Sequence, residues 1–157
     1  MDREAAALLA IDLREQWLVI EKVFARLDQR RSVASDAPAS VEALAYQLHN
    51  LYGACEQLFE LVARAFENQI DARRYHVDLL RRMKSEIGGV RPALLSEALV
   101  ADLHELRAFR HFFRHAYGTE LKPEQVRALA VVADRIRGPL KSALHEFVSA
   151  IGGEAQS

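Results

Sequence analysis

The chain reads as an all-α fold, an antiparallel helical bundle of four main helices plus a short extra helix. Three observations predict this. Apolar residues recur at steps of three and four, the period of a helix face, and nowhere show the alternation of a half-buried strand. Glycine (7) and proline (4) are few and gather at the joints between the periodic runs. At 157 residues the chain forms one domain. A chain of that size buries roughly 68–70% of its unfolded surface, enough for a real core.

The first helix is predicted over Asp2–Arg31, with Asp2 as its N-cap and Leu9, Leu13, Trp17, Ile20, Phe24 and Leu27 as its apolar stripe. Ser32–Ala39, rich in Ser, Asp and Pro, reads as a linker. The second helix follows over Ser40–Asn68, with Leu44, Leu48, Leu51, Cys55, Leu58, Phe59, Val62 and Phe66 at helical spacing. Two long helices joined by so short a loop should pack antiparallel. A shorter third helix spans Ala72–Ile87 and is stopped by Gly88-Gly89. Pro92 breaks the chain, Ser96 caps a fourth helix that runs to Tyr117, and Gly118 ends it. A fifth starts at Pro123, where proline suits the first turn, bends at Gly138-Pro139 and continues to Ile151. The domain is therefore 1–151, and 152–157 is a flexible tail.

The bulk composition excludes several classes. A net charge of −1 rules out a bulk polyelectrolyte, so any nucleic acid must meet a local patch. The single Cys55 cannot form an internal disulfide, and its apolar surroundings mark it as core filler. The opening Met1-Asp-Arg-Glu lacks the form of a secretory signal, and no apolar run reaches the ~18 residues of a membrane span. No membrane partner is expected, and a cytoplasmic location is the simplest one.

The chemistry concentrates on the fourth helix. Between Leu106 and Thr119 stand Arg107, Arg110, Arg114, His111 and His115, with no carboxylate among them. Cations without local partners suit a phosphate, which an arginine fork grips in fixed geometry, and a histidine moves protons near neutral pH. At 100° per residue, Leu99, Leu106, Phe109, Phe113 and Tyr117 form the core side, the arginines a stripe beside it, and His104, His111 and His115 a third. His111-X3-His115 has the spacing of two zinc ligands, but the metalloprotease glutamate is missing and three arginines would repel a cation. No metal is expected there.

Arg110, four residues, His115, one residue, Tyr117 matches the R-X4-H-X-Y motif of the HEPN superfamily. Over Asp2–Ile151 the helix order also resembles that of its HepT-like ribonuclease toxins. The resemblance implies a metal-independent endoribonuclease that needs no cofactor and leaves a cyclic phosphate. His115 then takes the acid–base role, and Arg110 holds the scissile phosphate. Arg107, His111 and Arg114 would support RNA binding. It further implies a homodimer with the two motif helices at a shared cleft. That suits the sequence, because Arg110 and His115 point about 140° apart on an ideal helix. The partner implied is a separate nucleotidyltransferase antitoxin of a type VII-like toxin–antitoxin pair, which adds AMP to the tyrosine that Tyr117 matches. The alternative is a catalytically silent HEPN subunit that serves a minimal nucleotidyltransferase.

Other residues carry open readings. Glu56, Glu60 and Glu67 could orient the motif cations or make structural salt bridges. Arg73, Arg74, Arg81, Arg82 and Lys84 make the third helix basic, but Asp71, Asp78 and Glu86 lie among them, so an ordinary charged surface is the favoured reading. Trp17 and Tyr46 are expected between the long helices or at a dimer seam. The aromatic residues follow helical spacing and do not resemble a base-stacking platform.

Overall fold

The computed structural model describes residues 1–66 and 75–154, and places five helices in them: α1 (Arg3–Ser32), α2 (Pro38–Phe66), α3 (Tyr75–Lys84), α4 (Glu97–His115) and α5 (Pro123–Glu154). Glu67, Asn68, Asp71, Ala72, Arg73 and Arg74 lie outside the described residues, as do 155–157 of the expected tail. The all-α bundle is as the periodicity predicts.

Cross-helix contacts fix the directions. Between α1 and α5, Arg31 meets Asp134, Asp28 meets Arg137 and Glu21 meets Lys141, so one number falls as the other rises. Between α2 and α4, Glu56 meets Arg110 and His49 meets Phe113, again in opposite sense. On the α1–α2 pair, Gln16 Nε2 donates to the Ala54 carbonyl at 2.8 Å. Only residues 33–37 join α1 to α2, so that pair runs antiparallel too, and the four long helices alternate in direction. Helix α2 touches all four other helices and carries the densest core stripe, including Leu48, Leu51, Tyr52, Leu58 and Phe59, all fully buried. Cys55 is wholly buried in it, and burial pushes its thiol up to about 12, which makes it the inert filler expected.

Several ends differ from the sequence reading. Asp2 is the N-cap of α1 as expected, its Oδ1 accepting the Ala5 amide at 2.8 Å, while Ser32 belongs to the helix. Helix α2 begins at Pro38, two residues early, because proline in the first turn loses no needed hydrogen bond. Helix α3 stops at Lys84, three residues short of Ile87, and the Gly88-Gly89 pair is not its cap. Its last carbonyls are taken from outside the helix. Arg91, only 2% exposed, donates to the carbonyls of Arg82 at 2.8 Å and Ser85 at 3.0 Å, and the amides of Leu94 and Leu95 donate to Met83. A cation at a helix C-terminus is favoured by the dipole as well. The glycines instead close a tight turn between Ile87 and Arg91, where Gly89 has φ of 71°, a conformation glycine takes without strain.

Ser96 caps α4 through the Leu99 amide, as predicted. The helix ends at His115, not Tyr117: Ala116 leaves helical geometry and the Thr119 amide closes a turn on its carbonyl. Helix α5 runs without interruption through Gly138-Pro139 and extends to Glu154, so residues 152–154, expected in the tail, are helical. Among the described residues no helix is long and apolar enough to cross a membrane.

Truncating Leu58, which is fully buried, to alanine should cost about 2–5 kcal/mol. The same change at Leu8, 57% exposed on α1, should stay within about 0.5 kcal/mol. Urea denaturation of the two variants checks this contrast; equal losses would refute the assignment of the core.

Candidate functional site

The cations of α4 gather against α2. Arg110 Nη1 donates to Glu56 Oε1 at 2.8 Å, and both side chains are largely buried. The Arg110 guanidinium also lies 5.9 Å from the Tyr52 ring centroid, within range of a cation–π contact. A Cβ added at Gly53 would meet Arg110 Nε at 4.0 Å, an ordinary contact, so the arginine stem crosses α2 at that glycine. Glu56, Arg107, Arg110, His111 and Arg114 line one narrow cleft of about 70 Å³. The sequence offers Arg110 no local partner and leaves Glu56, Glu60 and Glu67 open as distant ones; the helix pairing supplies Glu56, 54 residues away. Glu56 is therefore the carboxylate that pairs with a motif cation, while Glu60 pairs with Arg64 on its own helix.

Donor capacity remains in this cluster. The Nε–H groups of Arg107 and Arg110 are buried and have no hydrogen-bond partner. An unmet buried donor costs about 1–3 kcal/mol, so an acceptor oxygen reaching either would be welcome.

The two histidines of the motif segment stand farther out. His111 and His115 are both exposed, one turn apart, with ring centroids 4.7 Å from each other. His111 lines the arginine cleft; His115 is not among the cleft residues. Tyr117, placed by periodicity on the core side, is 93% exposed because the helix has ended before it. It lines a second, wider groove of about 760 Å³ with Tyr46, Phe113, Glu42 and Glu120. Tyr46, expected between the long helices, is 54% exposed; Trp17, at 7%, is buried as expected.

One residue of this region escaped the sequence reading. His49 on α2 packs on Phe113 at 5.3 Å and lies parallel to Tyr46, 6.5 Å away and within 8°. Burial holds its pKa below 6.5, a hydrogen bond with Asn50 opposes this, and the positive Arg110 and Arg114 lower it further. The signal was present: Tyr46, His49, Gly53 and Glu56 recur at steps of three and four on one edge of α2. His104 is likewise held below 6.5, by burial and then by Arg107.

A family model described as HepT-like protein matches residues 43–151 of the chain. Searches of the curated proteins and of the solved structures returned no significant match.

Two expectations follow from this geometry. Replacing Arg110 by glutamine removes the cation nearest a carboxylate on a residue only 6% exposed. The loss should be about 3 kcal/mol, the low end for breaking a buried pair, because Arg110 keeps some surface in water. Glu56→Gln together with Arg110→Gln should recover part of it, and a double-mutant cycle by denaturant titration reads the coupling. The second concerns pH. His49 and His104 both have lowered folded-state pKa values, so between those values and 6.5 the unfolded chain binds more protons. Their contribution to stability is therefore present above 6.5 and lost as pH falls through the folded values. Melting temperatures across pH 5–8 should show this decline, and His49→Gln should make it shallower; an unchanged slope would overturn the assignment.

Proposed function

Since this chain belongs to the HepT-like family of HEPN proteins, we propose that it is an endoribonuclease, the toxin of a two-gene toxin–antitoxin pair. The observation that carries this reading is the cation cluster on α4. Arg-X4-His-X-Tyr lies inside the matched segment, and its arginine lines a cleft with Arg107, His111 and Arg114. Arg110 holds the scissile phosphate, assisted by Arg114 and Arg107. An imidazole takes the proton of the ribose 2′-hydroxyl as that oxygen attacks phosphorus. A protonated imidazole returns a proton to the departing 5′-oxygen, and a 2′,3′-cyclic phosphate is left. His115 does the acid–base work, and its neighbour His111 supports substrate binding. No metal ion is needed for this sequence of steps. Glu56 is a positioning residue in this scheme, since its carboxylate aims the Arg110 guanidinium across the face of Tyr52.

The reading includes a homodimer. His115 is exposed and is not among the residues lining the cleft that holds Arg110, so a second α4 beside the first would bring a histidine of one protomer to the arginine of the other. It also includes a separate nucleotidyltransferase antitoxin that transfers AMP to Tyr117. An exposed hydroxyl beyond the helix end supports that role, because a modifying enzyme can reach it without unfolding α4. Phosphate placed there adds negative charge near Arg114 and competes with RNA.

One observation favours a second reading. The Arg110 fork is engaged by Glu56, and His115 does not line the same cleft, an arrangement that also suits a silent HEPN subunit serving a nucleotidyltransferase. Induced expression of wild type and His115→Ala separates the two. The exposed His115 can be replaced without harm to the core. Growth arrest and new cyclic-phosphate RNA ends with wild type, reduced at least ~100-fold in the variant, are the expected result. Arg110→Lys, which keeps the charge but loses the planar fork, should also impair cleavage. No arrest and no new ends with wild type would leave the silent subunit standing.

A further inference from the structure

Two surfaces with opposite character meet at the end of α4. On one side of the His49–Phe113 contact are the cations of the arginine cleft. On the other is the wide groove, walled by Tyr46, Phe113 and Tyr117 and edged by the exposed carboxylates Glu42 and Glu120. A third carboxylate there, Asp36, is already paired with Arg127.

The aromatic rings form a connected series. Phe109 meets Phe113 at 6.0 Å, Phe113 meets His49 at 5.3 Å, and His49 lies parallel to Tyr46. The inner members are anchored to the core, since Phe109 is 8% exposed and Phe113 packs against the buried cluster. The outermost member, Tyr46, is 54% exposed and turns to the groove. An exposed ring backed by packed rings is a rigid flat surface. Helix α2 loses little by displaying it, because Leu44, Ala45 and Leu48 on its other side hold the core.

We propose that this groove is a nucleobase subsite, in which an unpaired base of the RNA stacks on Tyr46 while its neighbouring phosphate lies toward Arg114 and Arg110. The inference rests on the ribonuclease reading for its ligand. Charge complementarity selects the occupant. A nucleotide is anionic at one end and carries N–H donors on the edge of its base. The cleft offers cations to the first, and Glu42 and Glu120 offer acceptors to the second. A bare phosphate chain would be repelled by those carboxylates, so the RNA backbone runs along the arginine side and only the base turns into the groove. Stacking tolerates any base, and carboxylate acceptors at the rim favour bases with amino groups. An RNA duplex keeps its bases stacked inward, so the subsite selects single-stranded RNA.

The test uses binding, not cleavage. A short 2′-O-methyl oligoribonucleotide lacks the attacking hydroxyl and stays intact. Its affinity for the full chain is compared with that of versions carrying one abasic residue at each position in turn. Wild type should lose roughly 10–100-fold at one position, the range that base–aromatic stacking supports. Tyr46→Ala should bind the complete oligonucleotide more weakly by a similar factor and be indifferent to the abasic residue there. Tyr46→Trp should restore the sensitivity. Circular dichroism confirms that each variant is folded. If no position is sensitive, if the oligonucleotide does not bind, or if Tyr46→Ala keeps the sensitivity, the subsite is overturned. RNA cleavage that survives Tyr46→Ala unchanged defeats the subsite and leaves the ribonuclease standing. Position-specific binding by a protein that cleaves nothing does the reverse.

Discussion

The buried pair between Glu56 and Arg110 ties the candidate site to the bundle. A carboxylate this enclosed needs its charge met, and an arginine that reaches it from α4 fixes the register of α4 on α2 to within one turn. Once that register is set, Phe113 falls beside His49, three residues up one helix and seven down the other. The arginine cleft and the aromatic groove are two consequences of one alignment. Burying such a pair is seldom the most stabilising choice, since well-packed apolar residues often do as well. Its place at the site fits a demand for orientation, because a free guanidinium on a helix surface samples many rotamers whereas this one is held over Tyr52.

The helices were legible because their information is local. Period, caps and proline positions are written within a few residues, and Asp2, Ser96 and Pro123 mark real helix starts. The ends proved harder where the decisive partner is distant. Nothing near Lys84 announces that Arg91 and two later amides will take the last carbonyls of α3. A glycine pair looked like the stop because glycine commonly ends helices, yet here it closes the turn that brings Arg91 back. At the other end of the molecule, Tyr117 continued the apolar period by one more turn, but the turn closed by Thr119 had already ended the helix. Period alone cannot report the point at which a helix stops obeying it.

The same distinction governs the site. The basic segment of α4 was visible as a run of charge, and four of its five members do line one cleft. What the sequence concealed was the partner surface. Glu56 could be weighed only as one of three glutamates, and the choice between them depends on which face of α2 meets α4. His49 shares an edge of α2 with Tyr46, Gly53 and Glu56, but that edge alone does not say what it meets. Its meaning comes from two arginines and a phenylalanine more than sixty positions away. Conversely, Tyr46 and Phe113 showed ordinary helical spacing on their own helices, so the aromatic series formed across the pair left no trace in either one.

A motif arginine and histidine five residues apart cannot both face one point from a straight helix, and α4 does not unwind early enough to alter this. It stays helical through His115, and Arg110 is turned inward while His115 is turned to solvent. If both act on one phosphodiester, the shared cleft of the proposed dimer would supply the second group from another copy of α4. Rotating α4 to expose Arg110 would strand the Glu56 carboxylate and lift Phe109 from the core, two losses of several kcal/mol between them. Bringing a second copy alongside asks for neither, since His115 already stands clear of the bundle. On the ribonuclease reading proposed above, the inward arginine and the outward histidine would serve as halves of two sites shared by a pair.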